Sequence, residues 1–142
     1  MDIQGYHLPD GLYYEEHHFW VSEDGDDLVM GMDDFAQKLA GEVVYVQLPD
    51  EGKKIKLGKT FAKVESGKWM GKVYGPVNGE LVAVNEDLEE NPGLVNEDCY
   101  GKGWMYRIRP DDKSELNNLM HESEVIEKWL SADIEKYSED SE

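Results

Sequence analysis

The stretch Phe61-Ala62-Lys63-Val64-Glu65-Ser66-Gly67-Lys68 and its return, Lys72-Val73-Tyr74-Gly75-Pro76-Val77-Asn78-Gly79-Glu80-Leu81-Val82-Ala83-Val84-Asn85, decide the fold. A strand runs into a turn at Ser66-Gly67, so the pair reads as a β-hairpin with Lys68 near its exposed tip. The same grain continues outward. Strands are read at 54–57, 61–65, 72–74, 81–84 and 105–108, separated by Leu57-Gly58-Lys59, by Gly75-Pro76-Val77-Asn78-Gly79 and by Gly101-Lys102-Gly103. Upstream, Val43-Val44-Tyr45-Val46-Gln47-Leu48 is the strongest strand, ended by Pro49-Asp50-Glu51-Gly52. Strands so short and closely spaced imply a small twisted β-sandwich or barrel rather than alternating βαβ units. The G-x-G-x-x-G arrangement is missing too, which excludes a Rossmann-type enzyme.

Toward the N-terminus, Leu12-Tyr13-Tyr14 and His18-Phe19-Trp20-Val21 read as strand pieces broken by Glu15-Glu16. A turn over 22–27 leads into Leu28-Val29-Met30-Gly31-Met32. Asp33 can N-cap a short helix over 34–40, and Gly41 stands where a glycine would stop it. Residues 1–11 are polar and punctuated by Gly and Pro, and read as an arm. Past Pro110 the chemistry changes: residues 111–142 hold eleven acids against three lysines. There Leu116, Leu119 and Met120, then Val125, Ile126, Trp129 and Leu130, recur at helical spacing. The expected organisation is an arm (1–11), a β domain (12–110), a helical extension of two short amphipathic helices (111–137) and an acidic tail (138–142).

Composition bounds the function. The chain has 142 residues with 14 Lys+Arg against 32 Asp+Glu, a formal net charge of −18. That length suits one domain, and 39% hydrophobic residues are enough to fold it despite the charge. A field this negative argues against nucleic acid and against an anionic membrane face as partners. No stretch approaches the roughly 20 apolar residues of a membrane span, and the start carries no basic, apolar leader. A single cysteine, Cys99, excludes a disulfide framework and suits a reducing compartment, so a cytoplasmic monomer is expected.

Catalytic chemistry is hard to find. Adjacent His17 and His18 would point to opposite faces of a strand, so one exposed and one packed histidine is expected rather than a metal pair. Cys99 lies among carboxylates that raise a thiol pKa, the reverse of what a nucleophile needs. His121 reads as a surface residue. No Ser-His-Asp, H-E-x-x-H or P-loop spacing occurs, so the expectation is a protein that is not an enzyme and holds no metal.

Lys68 stands apart, because a hairpin tip is where a modifying enzyme can grip a lysine and where an attached arm can swing. The chain resembles the H protein of the glycine cleavage system, the lipoyl carrier of that complex, collinearly from about 12 to 130. The resemblance is carried by Leu12-Tyr13-Tyr14, His18-Phe19-Trp20-Val21, Gly31-Met32-Asp33-Asp34-Phe35-Ala36-Gln37, Gly41-Glu42-Val43-Val44-Tyr45-Val46-Gln47-Leu48-Pro49, Val64-Glu65-Ser66-Gly67-Lys68, Pro76-Val77-Asn78-Gly79-Glu80, Asn91-Pro92-Gly93-Leu94-Val95-Asn96 and Tyr100-Gly101-Lys102-Gly103-Trp104. It implies a mainly β fold, a barrel-sandwich hybrid of the lipoyl-domain type, with a short helix after the early strands and a C-terminal helical extension. It also implies lipoate in amide linkage on Lys68, presented by Glu65, Ser66 and Gly67, and a lipoate–protein ligase or lipoyl-transfer enzyme to attach it. The amide removes the ammonium charge.

Departures from the family pattern shape the expected cargo. The family usually reads E-S-V-K-A-x-S-D, where this chain has Glu65-Ser66-Gly67-Lys68-Trp69-Met70-Gly71-Lys72. The two family carboxylates that help hold an aminomethyl amine fall on Lys72 and Phe19, and the histidine of T-D-H-A-Q falls on Phe35. A cation and aromatic rings suit an anionic or neutral sulfur-bearing cargo better than an ammonium. The expectation is therefore a lipoate-binding protein of sulfur oxidation, working with a heterodisulfide-reductase-like complex and sulfur transferases. Phe19, Phe35, Trp69, Met70 and Lys72 would flank its arm. The alternatives are a glycine-cleavage H protein serving P, T and L proteins, and an unlipoylated interaction module.

Overall fold

A computed structural model describes residues 1–67 and 69–140, with side chains through Tyr137; Lys68, Ser141 and Glu142 lie outside the described residues. Eleven strands and four α-helices follow one another in the order β1 (Asp2–Ile3), β2 (Tyr6–His7), β3 (Tyr13–Glu15), β4 (Phe19–Asp24), β5 (Asp27–Met32), α1 (Asp34–Ala40), β6 (Val43–Val46), β7 (Lys54–Ile55), β8 (Thr60–Ser66), β9 (Met70–Tyr74), β10 (Gly79–Val84), α2 (Asp87–Glu90), α3 (Leu94–Glu97), β11 (Tyr106–Pro110) and α4 (Ser123–Asp140). They build a six-stranded sheet in the order β3-β4-β5-β11-β10-β7 and a three-stranded sheet in the order β6-β8-β9. This is the mainly β, lipoyl-type architecture with a C-terminal helix that the family resemblance implies.

The two sheets close on one apolar core. Val21, Leu28, Met30, Leu81 and Ile108 of the larger sheet meet Val46, Val64 and Val73 of the smaller, all buried. Alternation along β4 sorts the rest: Phe19 and Val21 enter this core, while Trp20 turns to the opposite side. There a second cluster of Ile3, Leu8, Tyr14, Trp20, Phe35, Ile126 and Leu130 seats the N-terminal residues and α4. The sheets are tied by the hydroxyl of Tyr106, which donates to the Gln47 carbonyl at 2.6 Å, and by a bridge pairing Leu57 with Gly75. A Cβ at Gly75 would lie 2.4 Å from the Lys56 carbonyl, so only glycine permits this approach.

Several elements depart from the sequence reading. Residues 1–11 are no loose arm: β1 and β2 pair through a two-residue turn at Gln4 and Gly5 (φ +49° and +91°), and Ile3 and Leu8 are buried. Glu15 does not break a strand but ends β3, buried, and the chain reverses over 16–18 before β4. The 22–27 turn shrinks to Gly25-Asp26, because β4 and β5 pair as far as Asp24 and Asp27. The extension has one α-helix, α4, not two, preceded by a 3-10 helix over Lys113–Asn118. Glu115 pins that turn by accepting from the backbone N and the Nδ2 of Asn78, at 3.0 and 2.7 Å. The α4 backbone runs to Asp140, through most of the segment expected as a tail. No helix among the described residues is long and apolar enough to cross a membrane.

Candidate functional site

The hairpin β8–β9 pairs from Thr60↔Tyr74 to Glu65↔Met70, with a bulge between Thr60 and Ala62, and 66–69 connect the strands. The Ser66 amide donates to the Trp69 carbonyl at 2.8 Å, which closes the connection between the two strands. Gly67 is exposed, and a Cβ built on it would meet nothing within 4 Å. The turn is open to solvent and to an approaching enzyme. Lys68 itself lies outside the described residues.

Beside this turn runs a groove of about 220 Å³, walled by the 16–18 reversal, α1, β9 and α4. Phe19, Trp69, Met70 and Lys72, all read from sequence as flanking the arm, line it together with Tyr74. Phe19 reaches the groove while only 3% exposed, since most of its ring is in the main core. Phe35 does not reach it. That ring is buried behind the groove, edge-on to Tyr6 (5.0 Å) and against His18 (4.7 Å) and Tyr137 (5.8 Å). Helical periodicity turns Phe35 onto the face of α1 that packs on the second cluster, so its role is to hold α1 in place.

The groove also contains acids that the sequence reading did not connect with it. Glu16 and Asp133 both line it, the first from the β3–β4 reversal and the second from α4. His18 links Asp133 to the frame. It is buried, at φ +72°, with Nδ1 bonded to Asp33 at 3.1 Å and Nε2 to Asp133 at 2.7 Å. Its ring stacks on Trp129 at 4.4 Å. Burial alone would lower the imidazole pKa, but the bonds and charges of Asp33 and Asp133 outweigh it and raise it. Both nitrogens lie within hydrogen-bonding distance of a carboxylate, an arrangement that favours the protonated ring. Asp33, wholly buried, is pushed the other way from a surface carboxylate, its pKa raised chiefly by desolvation.

His17 is the exposed partner of the pair, stacked on Tyr74 at 3.8 Å and bonded through Nδ1 to Glu15. His121 is exposed and stacks on Tyr13 at 4.2 Å. Cys99 is buried, and burial, followed by the charges of Asp34 and Asp33, pushes its thiol up to about 12. Among the described residues, Glu15, Glu16 and His17 are the one group whose ligand atoms converge within 4.8 Å; the Glu15–His17 hydrogen bond already accounts for that closeness.

Comparison with known proteins decides what this hairpin and groove belong to. The family profile described as "Glycine cleavage H-protein" matches residues 12–132. The chain belongs to the glycine cleavage H-protein family. It is 47% identical over 112 residues to the glycine cleavage system H protein of Bacillus licheniformis, covering 79% of this chain and 88% of that one. It is 46% identical over 114 residues to the H protein of Idiomarina loihiensis, covering 80% and 88%. Among solved structures, a glycine cleavage system H protein from Mycobacterium marinum superposes with a TM-score of 0.70 at 30% identity, covering 73% of this chain and 87% of that one. H proteins carry lipoate covalently on a lysine and are not enzymes; this chain is a non-catalytic lipoyl carrier. The described residues fit such a group: the β8–β9 connection has open space at Gly67, and the adjoining groove offers the apolar rings of Phe19, Trp69 and Tyr74.

Proposed function

We propose that Lys68 is the lipoylated lysine and that the chain works as the H protein of a glycine cleavage system, holding an aminomethyl group as it passes from the P protein to the T protein, with the L protein restoring the arm. One observation carries this reading: Glu16 and Asp133 line the groove beside the attachment turn. The family's two amine-holding carboxylates fall here on Phe19 and Lys72, yet carboxylates reach the same groove from other positions. A protonated amine there gains charge-assisted hydrogen bonds that a neutral or anionic cargo would not.

Lipoate, once attached, supplies a reversible disulfide–dithiol couple. The chain's own residues do the rest. Glu65, Ser66 and Gly67 lead the chain into the attachment position, and the Ser66–Trp69 hydrogen bond closes the connection. Phe19, Trp69 and Tyr74 exclude water along the apolar part of the groove, and Glu16 and Asp133 orient the cationic end. Lys72, on β9, repels an ammonium and so favours its placement toward the acids on the 16–18 reversal and α4. A sulfur-bearing cargo delivered to a heterodisulfide-reductase-like complex has Lys72 and the apolar rings in its favour, but not the two carboxylates. Glu16 and Asp133 would repel an anion, and the relatives named above are glycine cleavage H proteins.

Two measurements test the reading. The intact mass of the native protein is expected to show one lipoyl increment that Lys68→Ala removes; absence of that increment supports the unlipoylated interaction module instead. In a reconstituted system, glycine is expected to load the wild-type chain, and Glu16→Gln with Asp133→Asn to lower loading about tenfold or more, as loss of hydrogen bonds to a charged group predicts. A lipoylated wild type that takes nothing from glycine would overturn the aminomethyl assignment.

A further inference from the structure

The outer face of the three-stranded sheet is exposed at Tyr45, Lys63, Met70 and Lys72, the last two standing at the edge of the groove. Residues paired directly across a ladder share a face. Tyr45↔Glu65↔Met70 form one row on that face and Lys63↔Lys72 the next, while Val46 and Val64 between them point into the core. Tyr45 is 43% and Met70 56% exposed. This face leads to the attachment turn.

The stretch of chain that runs through β7 and β8 into β9 has a charge opposite to that of the rest of the molecule, and Lys63 and Lys72 bring it onto this face. Residues 53–72 contain seven lysines against one acid, Glu65, in a chain of net −18; lipoylation of Lys68 removes one of these charges and leaves a balance of +5. Half of the fourteen basic residues thus fall in these twenty positions. Lys63 and Lys72 stand directly opposite one another, an arrangement that costs stability because like charges repel across a ladder. Lys63 is paired with Glu65 at 3.4 Å, whereas Lys72 makes no ion pair among the described residues. A protein so rich in acid leaves these cations largely to outside partners.

We infer that this face is a docking surface for an acidic patch on the enzymes that act on the arm. The inference rests on the lipoyl-carrier reading and goes beyond it by naming the face and the partner's charge. Tyr45 and Met70 supply the apolar centre of such a contact and Lys63 and Lys72 its charged rim. The occupant is a protein and not a nucleic acid or membrane, because an extended polyanion meets the whole field of −18. A local patch governs only within a Debye length of about 8 Å. A partner with a limited acidic ring around its entrance meets the positive end first, so the charge separation also turns the hairpin forward on approach.

The test uses the native, lipoylated chain with the P protein, and the unlipoylated chain with a lipoate–protein ligase, each at rising NaCl. Wild-type kcat/KM is expected to fall with salt for both enzymes. Lys63→Glu, which lies outside the groove, is expected to lower kcat/KM about tenfold through KM and to flatten the salt dependence. Lys63→Gln should fall between the two, and adding Lys72→Glu should deepen the loss. Lys128→Glu on α4 changes the net charge equally and is expected to leave both rates within twofold. An unchanged rate for Lys63→Glu with both enzymes, or an equal loss for Lys128→Glu, overturns the docking face. If the P protein ignores a lipoylated wild type, the aminomethyl reading fails instead, and the ligase comparison alone decides the face.

Discussion

His18 shows how much one side chain can be asked to hold. Its backbone sits at φ +72°, a conformation that costs about 1 kcal/mol or more for a residue with a Cβ. The cost is offset because its amide donates to the Glu15 carbonyl at 2.9 Å and its own carbonyl accepts from Asp33 at 3.0 Å. The ring then joins the N-cap of α1 to α4 through Asp33 and Asp133. In the unfolded chain this imidazole titrates near 6.5; folded, its pKa is higher. Its contribution is therefore complete below about pH 6.5 and is lost as pH rises through the folded-state value. Asp33, also raised, acts in the same direction. We expect Asp133→Asn to destabilise the protein by about 1–2 kcal/mol at pH 6 and by less at pH 9, measured by urea unfolding. A gap that is constant with pH would mean the pair is not ionised.

At the scale of elements, Asn96 does for α1 and β6 what His18 does for α1 and α4. Its Oδ1 accepts from the Val43 amide at 2.8 Å, and its Nδ2 donates to the Gly41 carbonyl at 2.8 Å and to Gln37 Oε1 at 3.1 Å. Asn96→Ala leaves these groups unpaired as the helix hands over to the strand, and is expected to cost about 2 kcal/mol in urea unfolding. α1 itself was legible because its signals are local. Asp33 accepts from the Ala36 amide at 2.8 Å as an N-cap should, and Gly41 takes φ +79° at the other end. The central hairpin was legible for the same reason, its strand formers being interrupted by Ser66-Gly67. α2 and α3 were not, being single turns of four residues with no side-chain cap. Nor was the β1–β2 hairpin: Gln4-Gly5 does the work usually given to Asn-Gly or Asp-Gly, and Gln is a weak signal for a positive φ.

At the scale of the whole molecule, what the chain could not reveal is convergence. Glu16 and Asp133 meet in one groove although 117 positions separate them in sequence, and nothing in the local pattern of either marks it. The departures at Phe19 and Lys72 were plain in the sequence, and by themselves they pointed to an anionic or neutral cargo, because the two acids that line the same groove are remote from them in the chain. The large excess of acid has its own cost. Self-repulsion at −18 destabilises the compact state, so the thermal midpoint is expected to rise between roughly 20 and 200 mM NaCl, where the Debye length shortens to below about 10 Å. A falling midpoint would show that attractive pairs such as Arg107–Asp24 and Arg109–Asp27 outweigh the excess. The burial of Cys99 matters in the same global way. A thiolate on the carrier's own surface could attack the ring disulfide of its prosthetic group and lock the molecule in a dead-end mixed disulfide. Cys99 is closed off beneath Tyr100 and Trp20, its backbone carbonyl accepting from the Trp20 indole at 2.8 Å and its thiol pushed up to about 12. A thiol reagent at pH 8 is therefore expected to label Cys99 only as fast as the protein unfolds, so that the body stays chemically silent toward the cofactor it displays.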